Sequence, residues 1–154
     1  MSHDTKAYIT SKLHDLAQAQ GVNIIIAVES GSRAWGFPSQ DSDYDVRFIY
    51  AHDLDHYLSV DGRRDVIETP ISRDKFLGVD FDMNGWDIKK AIYLALRGNA
   101  VVNEWLTSPV QYMRDEKIYK DLQNFVRETA DLRAYFYFES FLIFINITKE
   151  ISLV

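Results

Sequence analysis

The amino-acid sequence predicts an α+β fold, with a mixed β-sheet flanked by helices and a helical C-terminal portion. Three observations indicate this class: an amphipathic segment opens the chain, strand-like runs follow it, and helical patterns dominate after residue 86. With 154 residues, 47% of them hydrophobic, the chain has enough apolar material for one domain of ordinary size, or for one domain and part of another.

The first half of the chain predicts one helix and then several strands. Ile9, Leu13 and Leu16 recur at helical spacing, so we expect a helix over 4–20. The apolar run "NIIIAVES" at 23–30 lies between Gly21 and Gly31, which is typical of a buried strand. Three further strands are predicted at "DYDVRFIY" (43–50), "RDVIETPI" (64–71) and "LGVDFDM" (77–83).

The second half of the chain predicts helices. "WDIKKAIYLAL" has helical periodicity over 86–96 and is followed by Gly98-Asn99, a common helix end. "AVVNEWL" predicts a shorter helix over 100–106, and "DEKIYKDLQNFVRETADL" predicts an acid-led helix over 115–132. We therefore expect a core over 1–98 and a helical segment over 99–154.

Composition excludes several classes of protein. A formal net charge of −6 argues against a surface that grips nucleic acid throughout, although a local basic groove is compatible with it. The chain lacks cysteine and shows no secretory signal pattern, which predicts a cytoplasmic protein. The apolar run at 134–147 contains Glu139 and is too short to span a bilayer, so no membrane association is expected.

Two pairs of aspartates show the spacing of a metal site. In a strand, Asp43 and Asp45 point to the same face, and their like charges would be relieved by a divalent cation. Oxygen ligands favour Mg²⁺, or Mn²⁺, over zinc. Asp80 and Asp82 share a face by the same spacing, so one of them can supply a third carboxylate. We favour Asp82 because it lies nearer the end of the predicted strand, with Asp80 as the alternative.

Basic and small residues near these acids suggest a phosphate site. Gly31 and Ser32 form a turn at a strand end, where backbone N–H groups and a hydroxyl can hold phosphate oxygens. Ten residues separate Ser32 from Asp43, so one loop can bring the acids beside that phosphate. Arg33 can neutralise phosphate or pair with a carboxylate. Arg47 shares the face of Asp43 and Asp45 and is expected to lower their pKa values.

The three tryptophans have a simpler interpretation. Trp35, Trp86 and Trp105 are predicted to be core or interface residues, because large aromatic side chains dominate buried area. Stacking on a nucleobase is the functional alternative, and it suits Trp35 best because that residue follows the Gly31-Ser32 turn.

The stretch "GSRAWGFPSQDSDYD" resembles the signature of the DNA polymerase beta nucleotidyltransferase superfamily. In that signature Gly-Ser is followed after about ten residues by Asp-x-Asp on a strand. "SGSRAWGF", "SDYDVRFIY", "DMNGWDIKKA" and "NEWLTSPVQY" together are similar to the bacterial nucleotidyltransferases whose predicted role is in RNA repair. The resemblance covers roughly residues 28–112.

This resemblance implies a nucleotidyltransferase fold that carries a divalent metal and uses a nucleoside triphosphate. The implied reaction transfers a nucleoside monophosphate to a hydroxyl and releases pyrophosphate. Carried over to this chain, Asp43, Asp45 and Asp82 (or Asp80) would be the catalytic metal ligands. Gly31 and Ser32 would contact the triphosphate, and Arg33 is assigned there with them. Lys90 occupies the family's lysine position and can also reach the triphosphate.

The acceptor and the C-terminal region are left open. An RNA end, a small molecule and a protein side chain are all compatible acceptors, and the chain also fits two other functional classes. One is a non-catalytic module that binds nucleotide or a partner, and the other is an antitoxin-like nucleotidyltransferase that modifies a partner protein. The family's basic and aromatic helical region after "EWL" is expected to be shortened here, and the 134–147 run is expected to support self-association.

Overall fold

The computed structural model describes residues 3–60 and 64–129. The helices are α1 (His3–Gln20), α2 (Leu54–Leu58), α3 (Ile88–Leu96), α4 (Ala100–Thr107) and α5 (residues 116–129). The strands are β1 (Asn23–Ser30), β2 (Tyr44–Ala51), β3 (Val66–Glu68), β4 (Ser72–Arg73), β5 (Asp80–Asp87) and β6 (Gln111–Arg114). The α+β class and the helical C-terminal portion are confirmed, whereas the 134–147 run lies outside the described residues.

The sheet is mixed, as predicted. Its strands lie in the order β3, β5, β2, β1, β6, and β4 pairs with β5 beside that path. Among the strands of the described residues, only β2 and β5 run parallel, while β1 pairs antiparallel with both β2 and β6. Consequently the C-terminal end of β1 and the N-terminal ends of β2 and β5 lie at the same end of the sheet.

Two apolar clusters cover the two faces of this sheet. On one face, Ile9 and Leu13 of α1 pack with residues that include Phe48 and Met83. On the other face, Ala91 of α3 packs with apolar residues of α4, α5 and β1. The predicted burial of β1 is confirmed, since the five residues at 25–29 are all buried.

Several elements differ from their predictions: α2 and β4 were not predicted, and β5 lies later in the chain than the strand expected over 77–83. The helix expected from Trp86 begins at Ile88, because β5 stays paired with β2 through Trp86 and Asp87. The Asp87 side chain then accepts a hydrogen bond from the Lys89 backbone and caps α3. Strand β6 was not predicted, and its four residues owe their strand conformation to pairing with the distant β1.

Residues after 98 contribute to the same sheet and core as those before it. Trp105 of α4 packs against Trp86 of β5 with ring centroids 4.1 Å apart, and β6 extends the sheet beside β1. The division at residue 98 therefore stays a prediction. No helix within 3–60 and 64–129 is long and apolar enough to cross a membrane.

Candidate functional site

The turn after β1 is shaped by a glycine. Gly31 begins a 3-10 turn over Gly31–Arg33 and has a φ of 71°, a conformation that residues with a Cβ rarely adopt. A Cβ placed on Gly31 would lie 2.7 Å from Asp45 Oδ2. The turn and the Asp45 carboxylate are therefore packed against each other, as the spacing of the motif predicts. Ser32 lies on the exposed surface of this turn.

Asp45 and Asp82 are direct partners across the two parallel strands. The register pairs Ser30 with Asp45 on β1 and β2, and Asp45 with Asp82 on β2 and β5. Arg47 bridges the two carboxylates, with Nη2 3.0 Å from Asp45 Oδ1 and Nη1 2.7 Å from Asp82 Oδ2. One cationic side chain thus holds together the two carboxylates expected to bind metal.

The charge on Asp45 is disfavoured. Burial raises the pKa of Asp45, Arg47 opposes that rise, and the Asp82 and Asp43 side chains reinforce it. The predicted contact between Arg47 and Asp45 is confirmed, but burial outweighs its effect on the pKa. Asp43 itself is exposed and lies one residue before β2 begins, so its place on the strand was predicted one residue too early.

The structure distinguishes Asp82 from Asp80. Asp82 contacts Arg47 and pairs with Asp45, whereas Asp80 pairs with Arg73 on β4. Our reason for favouring Asp82 was wrong, because β5 continues to Asp87 and both aspartates lie near its beginning. Its register with β2 is what places Asp82 beside Asp45.

Arg33 is engaged with the loop that follows it. Its Nε lies 2.9 Å from the carbonyl oxygens of both Ser42 and Asp43, and its guanidinium lies 4.1 Å from the centre of the Tyr44 ring. These contacts hold the end of the 34–43 loop next to the Gly31–Arg33 turn. Arg33 lies at the predicted site, although its contacts are to the loop and not to a carboxylate.

Lys90 lies apart from the other predicted residues. Its Nζ is 2.9 Å from Asp65 Oδ1, and the Asp65 carbonyl accepts a hydrogen bond from the Asp87 backbone at the far end of β5. Five residues of strand separate Asp87 from Asp82, a distance of roughly 16 Å at the usual rise per residue. The structure therefore does not bring Lys90 together with Gly31, Ser32 and the carboxylates.

Sequence reasoning missed Glu29, a buried carboxylate behind the site. Its Oε1 accepts a hydrogen bond of 2.8 Å from the Asp45 backbone N–H, and its Oε2 accepts one from the Tyr112 hydroxyl. Burial raises the pKa of Glu29 to about 7, despite these two hydrogen bonds, which lower it. The available signal was a single acidic residue within the buried run "NIIIAVES".

Residues of α4 and of the segment after it support this end of the sheet. The Ser108 hydroxyl donates to the Glu29 carbonyl at 2.7 Å, and the Ser30 hydroxyl donates to Glu104 Oε1 at 3.3 Å. Glu104, Ser108 and Tyr112 all belong to the stretch "NEWLTSPVQY". That stretch therefore contacts the strand that leads into the Gly31 turn.

The residues present fit a divalent cation in part. Asp45 and Asp82 are adjacent carboxylates, and the Arg47 guanidinium offsets one of the two negative charges that the pair carries when ionised. Among the described residues, however, no group of three or more Asp, Glu or His side chains is placed to hold a metal ion in this arrangement. The predicted ligand set of Asp43, Asp45 and Asp82 is therefore not assembled among the described residues.

The tryptophans separate into two kinds. Trp105 is 4% exposed and Trp86 packs against it within the core, so both predictions are confirmed. Trp35 is 44% exposed, so it is not a core residue, and an interface position or base stacking stays a prediction for it.

Comparisons with known proteins agree with the motifs. A family model described as the RNA repair pathway DNA polymerase beta family matches residues 5–142. The uncharacterized protein YcgL of Bacillus subtilis (strain 168) is 49% identical over 107 residues, which are 70% of this chain and 39% of YcgL. The chain thus covers well under half of that relative. No solved structure gives a significant match.

Proposed function

The chain belongs to the RNA repair pathway DNA polymerase beta family, and from that premise we propose that it is a metal-dependent nucleotidyltransferase with the nucleotidyltransferase fold. It would transfer a nucleoside monophosphate from a nucleoside triphosphate to an acceptor hydroxyl, and pyrophosphate would be released. Because the matched part of the chain is 39% of YcgL, the activity proposed concerns this segment and the residues it carries.

The observation that carries the proposal is the row formed by Ser30, Asp45 and Asp82 across three neighbouring strands. The Asp45 carboxylate lies directly beside the Gly31 turn, since its Oδ2 is 2.7 Å from where a Gly31 Cβ would be, and Asp82 lies next to Asp45. A phosphate held on the turn would therefore lie next to the carboxylates. This proximity is what phosphoryl transfer requires, because catalysis depends mainly on positioning and on neutralising charge.

Asp45 and Asp82 would hold Mg²⁺ or Mn²⁺, with Asp43 as the third ligand. Such an ion, when bound, supplies positive charge to the phosphate oxygens and activates the attacking hydroxyl. Arg47 contacts one oxygen of each carboxylate, so the ion would bind the other oxygens or displace the guanidinium. The raised pKa of Asp45 is consistent with a carboxylate that is stabilised by gaining a stronger cationic partner.

Gly31 and Ser32 would contact the triphosphate through the turn. The Ser32 hydroxyl is exposed and lies 3.2 Å from the Ser42 hydroxyl, so it can exchange that contact for a phosphate oxygen. Arg33 would add positive charge next to the turn while it continues to hold the 34–43 loop. Lys90 is left out of this role because it lies at the other end of β5.

The acceptor we propose is an RNA end, on the strength of the family's described pathway. A net charge of −6 is unfavourable for extended RNA binding, which favours an acceptor recognised mainly at its terminus. Small-molecule and protein hydroxyls are the alternatives that an acceptor panel would separate.

The decisive experiment follows labelled nucleotide. The full chain is incubated with each α-labelled nucleoside triphosphate, with Mg²⁺ or Mn²⁺, and with RNA, small-molecule and protein acceptors, while pyrophosphate release is measured. We expect transfer to an RNA hydroxyl and its loss in Asp43→Ala and Asp45→Ala. Transfer that survives both substitutions would refute the mechanism.

A second candidate is a non-catalytic module that binds nucleotide or a partner. The contact of Arg47 with both carboxylates favours it, because a permanently bridged pair would need no metal. Triphosphate binding without pyrophosphate release for any acceptor would support this candidate and exclude the enzyme.

A further inference from the structure

We propose that Trp35 and Phe37 form the surface on which the nucleobase of the donor triphosphate stacks. The proposal rests on the function proposed above and adds the part of the substrate that the carboxylates and the Gly31 turn leave unassigned. It assigns a binding role to two aromatic side chains in the 34–43 loop.

Both side chains are exposed, unlike the aromatic residues of the core. Trp35 is 44% exposed and Phe37 is 78% exposed, whereas Trp105 is 4% exposed and Phe48 is 1% exposed. Leaving large apolar rings in water forgoes the stabilisation that burial gives them. Two such rings within three residues, beside a substrate site, indicate that a ligand covers them.

The backbone that carries these rings is anchored to the site. The Phe37 N–H donates to the Ser32 carbonyl at 3.1 Å, and the Ala34 N–H donates to the Gly31 carbonyl at 3.2 Å. Ala34 is 5% exposed, so it fixes the segment against the core just before Trp35. Arg33 holds the other end of the loop at the carbonyls of Ser42 and Asp43. The Trp35 and Phe37 rings therefore extend from a loop that is hydrogen-bonded at both ends.

The distance from the turn suits a nucleotide. Trp35 follows Ser32 by three residues, so their Cα atoms lie at most about 11 Å apart. A triphosphate held on the Gly31-Ser32 turn therefore has its ribose and base within reach of Trp35. Aromatic side chains bind bases by stacking, which accepts any base because each one presents a π face.

We assign the donor base to this surface, and not a base of the acceptor. The turn that the donor's phosphates would occupy is hydrogen-bonded directly to the segment that carries the rings, through the Ser32 carbonyl and the Phe37 N–H. An acceptor hydroxyl must instead approach the carboxylate row at Asp45 and Asp82. The donor triphosphate and the acceptor would thus bind at different parts of the same end of the sheet.

The test measures binding and not turnover. Nucleoside triphosphate analogues with a methylene group between the α- and β-phosphorus atoms are titrated with Mg²⁺ into the full chain, and affinities are measured by calorimetry. Tripolyphosphate, which lacks a base, is titrated in parallel. The variants are Trp35→Leu and Phe37→Leu, and the matched control is Tyr93→Leu, which removes an aromatic residue that is 53% exposed on α3.

We expect Trp35→Leu to weaken binding of the analogue about tenfold, with a smaller loss for Phe37→Leu and no loss for Tyr93→Leu. Tripolyphosphate affinity should be the same in all four proteins. Quenching of tryptophan fluorescence by the analogue should appear in the wild type and be reduced in Trp35→Leu.

Three results would overturn the proposal: unchanged analogue affinity in Trp35→Leu, an equal loss of tripolyphosphate affinity, or quenching by single-stranded RNA alone but not by the analogue. The proposed function fails separately. Absence of any triphosphate binding would remove both proposals, whereas binding that is insensitive to Trp35 would remove only this one. Stacking on Trp35 without pyrophosphate release would retain the base site and exclude the enzyme.

Discussion

Asp45 and Asp82 lie opposite each other on adjacent parallel strands and share Arg47 as a common partner. Two carboxylates this close are unfavourable unless positive charge separates them. The guanidinium meets this need in the structure, and a divalent ion is proposed to meet it during the reaction.

Replacing Asp82 and Asp80 one at a time should show which of them is the third carboxylate of the site. We expect Asp82→Asn to lower nucleotide transfer by at least about 100-fold, because it removes a ligand that lies directly beside Asp45. Asp80→Asn should change the rate only a few fold, since Asp80 lies opposite Arg73 of β4 in the strand register and not opposite Asp45. Rates of pyrophosphate release measure both. A greater loss in Asp80→Asn would show that the third carboxylate is assigned to the wrong residue.

Removing the charge of Arg47 should make stability depend more strongly on magnesium. In EDTA, Arg47→Gln should lose about 1–3 kcal/mol of unfolding free energy, because the partly buried carboxylate pair loses its cation. Mg²⁺ should restore more stability to this variant than it gives the wild type, since the ion can replace the missing charge. Chemical denaturation with and without Mg²⁺ measures both effects.

Arg64→Gln is the control for that experiment. Arg64 pairs with Glu68 on the exposed surface, and its loss should cost under about 1 kcal/mol with no added response to Mg²⁺. Equal stabilisation of the wild type and Arg47→Gln by Mg²⁺ would mean that the ion does not bind at the Asp45–Asp82 pair.

Two glycines with similar backbones differ in what surrounds them. Gly31 and Gly36 have φ values of 71° and 84°, so alanine at either position should cost about 1–2 kcal/mol. Only at Gly31 would the new Cβ meet a neighbour, Asp45 Oδ2 at 2.7 Å, whereas at Gly36 nothing lies within 4 Å. The displaced carboxylate should lower transfer activity strongly in Gly31→Ala and not in Gly36→Ala.

The comparison of unfolding free energy with activity decides this prediction. If both variants lose stability equally but only Gly31→Ala loses activity, close packing of the turn against Asp45 is needed for function. Equal activity losses would indicate that the loop conformation, and not the contact with Asp45, is what matters.

Local patterns in the sequence were sufficient to predict most of this fold. β1, β2 and the helices α1, α3 and α4 follow from periodicity and from helix-ending residues, which act over short distances. The beginning of α3 was misplaced at Trp86 because that residue is held in β5 by pairing with Ile49, a contact between distant parts of the chain. The same limitation applies to β6, whose strand partners lie in β1.

The candidate site shows a similar division. The spacing of Gly31, Ser32, Asp43 and Asp45 was informative because all four lie within one turn, the loop after it and the beginning of β2. Deciding between Asp80 and Asp82 required the register of β5 against β2, which no local pattern encodes. Glu29 was overlooked because its carboxylate acts through Tyr112 and the Asp45 backbone, which lie elsewhere in the chain.

The buried carboxyl of Glu29 should give the protein a characteristic dependence of stability on pH. Its pKa rises from an ordinary 4.5 to about 7 in the folded state, so the folded protein holds this proton over a range where the unfolded chain has released it. The resulting stabilisation is complete below pH 4.5 and is lost as pH rises toward 7. Over that range the loss should reach roughly 3 kcal/mol.

Glu29→Gln keeps an oxygen that can accept the Asp45 N–H but cannot titrate. Denaturation in EDTA across this pH range should therefore show a flatter profile for Glu29→Gln than for the wild type. Tyr112→Phe should move the wild-type decline to higher pH, because the Tyr112 hydroxyl lowers the pKa of Glu29. Parallel profiles for the wild type and Glu29→Gln would show that Glu29 is ionised in the folded protein throughout, and that Asp45 is held by a charged neighbour and not by a neutral one.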